Sequence, residues 1–217
     1  MHYKIGTGLI IKTENAAKPE SRASSHLKEV LSNLAQVHSS FDYGCGKLRY
    51  CEALLETTET LALVDSEVQL SRLQTLRQER TSIREAMRRS NRVTVYNESE
   101  FKALRQTFDR AFCINVLSII PFFAKRREIV QTIRSKLKHG GTCLFVVQYR
   151  NSDFERMRRM PNARPWRDGF LIDSLRGLSF FGLIPPNRLC SLVLRAGFEI
   201  RHMHLNEGSA YLCAVRK

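Results

Sequence analysis

Apolar positions Leu27, Val30, Leu31 and Leu34 fall at i, i+3, i+4 and i+7 within residues 26–37. That spacing is one stripe of an amphipathic helix, and Ser24 or Ser25 can cap its start. Strand-length and helix-length stretches then alternate. Residues 41–43 read as a short strand, 48–55 as a helix, 60–65 as a buried strand and 67–80 as a helix. The run Ser82-Ile83-Arg84-Glu85 has capping-box spacing and predicts a fresh helical start. Residues 92–96 predict a strand, 98–105 a short helix, 108–117 an apolar strand and 124–137 a helix. Gly140 and Gly141 stop that helix before a strand at 142–148. Residues 186–195 predict a last helix, and 198–205 with 210–215 a closing hairpin turned by Asn206-Glu207-Gly208.

Strand alternating with helix at this spacing predicts an α/β fold, a Rossmann-like, mostly parallel sheet with helices on both faces and a C-terminal antiparallel hairpin. Two stretches stand outside the alternation. Residues 1–25 are polar and irregular and read as an N-terminal arm; residues 150–185 form an Arg- and Phe-rich insertion in a domain spanning 26–217.

Two glycines one residue apart, Gly44 and Gly46, stand between a strand and a helix, where a bare backbone can turn tightly and approach a ligand. Asp65 ends the next strand, where α/β nucleotide sites take the two hydroxyls of a ribose. Arg49 occupies the third glycine position of a dinucleotide fingerprint, and Lys47 is followed by Leu48 where a phosphate loop needs Ser or Thr. Both alternatives lose ground.

The run Asp42-Tyr43-Gly44-Cys45-Gly46 resembles the first motif of the class I S-adenosylmethionine-dependent methyltransferases, and Leu63-Val64-Asp65 resembles their second. Asn97 and Glu98 follow the third strand, and Asn115 lies where the family's fourth strand meets the reacting methyl. The resemblance covers residues 41–217. It implies S-adenosylmethionine as cofactor, with Gly44, Cys45 and Gly46 beside its methionine part and Asp42 holding the loop or the ammonium. Asp65 and Ser66 would lie at the ribose, Asn97 or Glu98 near the adenine and Asn115 near the methyl. The third glycine frequent in the family is Leu48 here, and the Asp/Asn-Pro-Pro-Tyr box of DNA aminomethyltransferases is replaced by Asn115-Val116-Leu117-Ser118. No His or carboxylate is marked as a catalytic base.

Charge adds an expectation about the acceptor. Thirty-five Lys and Arg against 21 Asp and Glu leave +14, which draws polyanions. Arg150, Arg156, Arg158, Arg159, Arg164 and Arg167, interleaved with Phe154 and Trp166, suggest a grip on phosphates and bases. The expected acceptor is therefore a nucleic acid, RNA before DNA. A small metabolite or peptide is the alternative, with Phe170, Phe180, Phe181, Leu183 and Ile184 lining its pocket. A non-catalytic binding protein on the same fold is a further one. The arm is a candidate cover for the cofactor, with Arg22 and His26 expected to reach it. Six scattered cysteines without a Cys-x-x-Cys pair read as reduced thiols of a cytoplasmic protein. No apolar run reaches the roughly 18 residues of a membrane span. His139, His202 and His204 lack a third ligand at metal-binding spacing, so no metal is expected.

Overall fold

The computed structural model describes residues 2–6, 8–150 and 152–217, with side chains from 155 onward in the last range. The side chains of Asp153 and Phe154 therefore lie outside the described residues. In chain order, β1 (His2–Lys4) and β2 (Ile10–Lys12) form an antiparallel hairpin, followed by α1 (Ser25–Ser32), β3 (Val37–Tyr43), α2 (Cys51–Leu55) and β4 (Thr58–Asp65). Next come α3 (Glu67–Ser71), the small hairpin of β5 (Gln74–Leu76) and β6 (Glu79–Thr81), α4 (Ile83–Met87), β7 (Val93–Asn97), α5 (Glu98–Ala103) and β8 (Phe108–Ile114). The chain continues through α6 (Phe123–Lys136), β9 (Leu137–Gln148), α7 (Ser152–Arg159), β10 (Ala163–Trp166), β11 (Gly169–Ile172), β12 (Ser179–Gly182), α8 (Pro186–Arg195), β13 (Phe198–Asn206) and β14 (Ser209–Arg216).

Seven strands make the central sheet in the order β13-β14-β9-β8-β3-β4-β7. The pairs β3 with β4 and β8, β4 with β7, and β8 with β9 are parallel; β14 runs antiparallel to β9 and to β13. Parallel strands covered on both faces read as nearly continuous apolar runs. Phe41, Tyr43, Ala62 and Val64 point into a core shared with Phe101 of α5, Ile129, Val130 and Ile133 of α6 and Leu189 of α8. Leu61, Leu63, Phe112 and Ile114 face a second core with Leu27 and Leu31 of α1, Leu54 of α2, Leu70 of α3 and Ile83 of α4. The chain doubles back where β3 meets β8, the switch point at which open α/β sheets bind ligands beyond their C-terminal strand ends.

The helix expected at 67–80 starts at Glu67 but ends at Ser71. After Ser71 the chain turns into the β5–β6 hairpin, because the buried amides of Gln69 and Gln74 pair with each other: Gln69 Nε2 donates to Gln74 Oε1 (3.1 Å) and Gln74 Nε2 to the Gln69 carbonyl (3.1 Å). Leu73, which completed the apparent helical stripe, is exposed. Ser82 does cap a new helix, accepting from the Glu85 N–H (3.1 Å). The first helix is shorter than expected and β3 begins earlier, at Val37; its polar start is hidden in the core because Ser39 N and Oγ both donate to Asp109 Oδ2 (2.9 Å each). The strand expected at 108–117 ends at Ile114.

The insertion becomes α7 and a three-stranded antiparallel sheet, β10-β11-β12. The N-terminal arm is built onto it. Ile11 bridges Leu178, the Lys12 N–H donates to the Leu178 carbonyl (2.8 Å), and Tyr3 and Ile11 are buried in the first core. β12 packs against both the Thr13–Ala16 turn and the Leu117–Ile119 turn, so arm and insertion together cover the C-terminal ends of the strands.

Candidate active site

A cleft opens at those strand ends. Asp42, Gly44, Cys45 and Gly46 from the β3 end, Asp65 from β4, Glu98 from the start of α5 and Asn115 after β8 all line it. Two residues read as site candidates do not. Ser66 caps α3, its Oγ accepting from the Gln69 N–H (3.4 Å). Asn97 caps α5, its Oδ1 accepting from the Ser99 and Glu100 N–H groups (3.0 and 2.9 Å) while Nδ2 donates to Glu67 Oε2 (3.1 Å). Their polar groups are engaged in helix starts, where Ser and Asn satisfy orphan N–H donors.

The glycine loop is held from below. Gly44 N and Cys45 N both donate to the Val64 carbonyl (2.7 and 3.2 Å), and Gly46 N donates to Asp65 Oδ2 (2.9 Å). Asp65 Oδ1 takes the Ser66 N–H (2.7 Å), and Gln69 Nε2 donates to the Gly46 carbonyl. Gly44 has φ +85°, and a Cβ there would overlap the Val116 side chain. The cleft is thus close-walled at that point by necessity.

Burial dominates the electrostatics. The Asp42 carboxyl is pushed up to about 7, by loss of solvent and then by the neighbouring Asp65, with Arg49 opposing. Asp65 and Glu98 are raised for the same first reason; the Gly46 and Ser66 N–H groups pull Asp65 back. Burial also lifts the Cys45 thiol well above its ordinary range, which makes it a space-filling group here. Buried oxygens of three cleft-lining residues, Asp42 Oδ1, Gln69 Oε1 and Asn115 Oδ1, have no hydrogen-bond partner among the described residues. Asn115 also carries φ +60°, a left-handed backbone that Asn tolerates better than most side chains.

The structure adds lining residues that the sequence pattern did not mark. The roof is the arm itself, Thr13, Glu14, Ala16, Ala17 and Lys18, and the far wall includes Tyr50, Val116, Ile119 and Ile120. Arg22 and His26 are elsewhere. The Arg22 carbonyl accepts from Arg49 Nη1 (3.4 Å), and His26 packs on His204 and Tyr211. The usable signal was the small pair Ala16-Ala17, since Ala17 Cβ would lie 3.6 Å from a Cβ at Gly46.

Of the expected basic grip, Arg158 is paired and Arg167 stacks on Phe122 and Trp166, and basic residues elsewhere are paired too. Arg84 bridges Glu67 and Glu100, Arg77 meets Glu52, Arg88 meets Glu85 and Arg158 meets Glu155. Trp166 is set edge-on to Phe122 (6.2 Å) and Phe180 (5.7 Å), and Phe170 and Phe180 are buried. Ile184 does line a pocket, separate from the cleft. No group of three or more metal-ligating side chains occurs among the described residues, and none of their helices is long and apolar enough to cross a membrane.

A sheet in this order, with a glycine loop on its central strand and an acid ending the next, defines the class I methyltransferase fold. A family model described as a methyltransferase domain matches residues 16–203. The chain is 32% identical over 207 residues to the uncharacterized protein YmfD of Escherichia coli (strain K12), covering 94% of this chain and 92% of that one. Among solved structures, a protein from Pyrococcus horikoshii OT3 is similar over 92% of this chain and 94% of its own (TM-score 0.66, 16% identity). The S-adenosylmethionine-bound amino pentose methyltransferase CalS10 from Micromonospora echinaspora is similar over the whole of both chains (TM-score 0.60, 13% identity). The chain belongs to the methyltransferase-domain family and is an S-adenosylmethionine-dependent enzyme of that class. Its cleft fits the cofactor: buried acceptors without a partner among the described residues, Asp42 Oδ1 and Asn115 Oδ1 among them, suit a ligand bearing an ammonium.

Proposed function

We propose that the acceptor is a small molecule or a short peptide. The observation that carries this reading is the roof: residues of the 13–18 segment line the cleft and β12 packs against that segment, an enclosure that suits a small acceptor better than a polymer. The structural relative CalS10 acts, by its description, on an amino pentose, which is in keeping with an acceptor of that size.

Within this reading the backbone of Gly44 and Gly46 lies along the methionine part of the cofactor, Asp42 faces its ammonium, Asp65 holds the ribose and Glu98 stands near the adenine. Asn115 is beside the reacting group. Bound S-adenosylmethionine supplies a methyl already activated on a sulfonium. The chain therefore has chiefly to align and enclose, and positioning alone provides much of the rate. Ile119 and Ile120 exclude water from the wall where the acceptor enters.

Calorimetry with S-adenosylhomocysteine tests the site. The wild-type chain should bind, and Asp65→Ala should weaken binding by about 1–3 kcal/mol through lost charge-assisted hydrogen bonds; unchanged affinity removes Asp65 from the site. Transfer of labelled methyl to a panel of amines, hydroxy acids and peptides, run beside RNA, tests the acceptor. The second reading, a nucleic-acid acceptor, is favoured by the net charge of +14, and label in RNA alone would establish it.

A further inference from the structure

We propose that the pocket between the starts of α6 and α8 is a second ligand site, for an organic oxyanion with an apolar body. The pocket is a concavity of about 220 Å³, smaller than a drug-sized site and suited to a small ligand. Its apolar lining is Pro121, Phe123, Ile184 and Leu192. Phe123, at the first position of α6, leaves 54% of its surface exposed. A large ring left open inside a concavity is the kind of surface that an apolar ligand covers.

The charged lining is unbalanced. Arg126 is consumed internally: its Nη1 and Nη2 donate to Asp168, the latter at 3.1 Å, and its Nε donates to the Ile120 carbonyl (2.8 Å). Asp168 is thereby neutralised. Arg167 and Arg188 remain in the wall with no ion pair among the described residues. Arg167 sits at φ +54°, with its guanidinium carbon 4.9 Å from the Phe122 ring and 4.7 Å from the Trp166 ring. A stacked guanidinium is already oriented and loses little freedom on meeting a carboxylate or phosphate. Arg188 lies in the first turn of α8, where the helix dipole disfavours a cation. Two surplus guanidiniums over an apolar floor select a ligand with an anionic head and a hydrocarbon or aromatic body.

This site is distinct from the cofactor cleft and does not depend on the acceptor reading. The two share only the wall around residues 117–122: Ile119 and Ile120 face the cleft, Pro121 faces the pocket.

Calorimetry on the full chain tests it with three probes, 4-phenylbutyrate, phenyl phosphate and the neutral 4-phenylbutan-1-ol, with S-adenosylhomocysteine titrated separately. At least one anionic probe should bind, the alcohol should bind at least about tenfold more weakly, and Arg167→Gln with Arg188→Gln should weaken the anion by at least about tenfold. S-adenosylhomocysteine affinity should be unchanged in that variant, which also shows that it is folded. Should the double variant misfold, Arg188→Gln alone, at an exposed position, must still weaken the anion. Preference for carboxylate over phosphate, or the reverse, identifies the head group. The proposal is overturned if neither anion binds the wild type, if the alcohol binds as well as the acid, or if the arginine variants bind the anion unchanged. Failure of the wild type to bind S-adenosylhomocysteine would instead count against the methyl-transfer site and leave this one standing.

Discussion

Leu48 stands where the family frequently has a glycine, and its backbone keeps the glycine's conformation, φ +60°, with the side chain buried in the second core. The strain of a left-handed leucine, of order 1–2 kcal/mol, is offset by burying a side chain worth about 1.5–3 kcal/mol. The loop therefore holds its shape without its third glycine. Gly44 has no such latitude. Gly44→Ala adds left-handed strain and an overlap with Val116, and should cost about 2–4 kcal/mol of stability together with cofactor binding. Adding Val116→Ala should return the overlap component only; urea unfolding of both variants separates the two. Asp42 carries a pH signature. Its carboxyl pKa of about 7 lies above the ordinary carboxylate value, so its contribution to stability is full in acid and is lost as pH rises through about 7. A ligand ammonium favours the ionised form. Cofactor affinity should therefore rise about tenfold between about pH 6 and about pH 8, and Asp42→Asn should flatten both slopes. Titration of S-adenosylhomocysteine affinity against pH decides this, and a flat wild-type profile would remove Asp42 from contact with the ammonium.

At the level of elements, the cover over the sheet hangs on few attachments. The ion pair of Arg126 with Asp168 ties α6 to the start of β11, with side-chain exposures of only 6% and 23%. Removing one partner of such a pair leaves a buried charge uncompensated, so Asp168→Asn should destabilise by about 3 kcal/mol. Arg126→Met combined with Asp168→Leu should cost less than the single change, because no orphan charge remains. Urea denaturation of the three chains tests the order. The same logic explains the misread segment after α3. Leu70, Leu73 and Leu76 have a helical rhythm, yet the paired amides of Gln69 and Gln74 and the left-handed Arg77 and Gln78 turn the chain into a hairpin. Periodicity sees side-chain polarity and cannot see a buried amide finding its partner.

Over the whole molecule, the charge of +14 predicts weak, sequence-independent attraction to RNA, falling steeply as salt rises toward physiological levels. With a small acceptor, methyl transfer should not follow that curve, and RNA retained on the protein at low salt should carry no label. Filter binding across a salt series, scored with transfer of labelled methyl, checks this; methylated RNA at physiological salt would move the acceptor to the nucleic-acid reading. Several basic residues are spent on neighbouring carboxylates, Arg158 of the expected grip among them. Net charge survives folding unchanged, whereas its arrangement does not.

The alternation of strand and helix, the Gly44/Gly46 bend, Asp65 and the closing hairpin were readable from local pattern, because parallel strands buried on both faces and turns needing positive φ leave composition signals that do not depend on distant partners. The partners did need the fold. Asn97 and Ser66 were sent to helix caps, Asn115 was bent into the cleft, and residues 13–18 were laid over it through Ile11 and Leu178. Those outcomes rest on contacts between residues far apart along the chain, which no local period or spacing encodes.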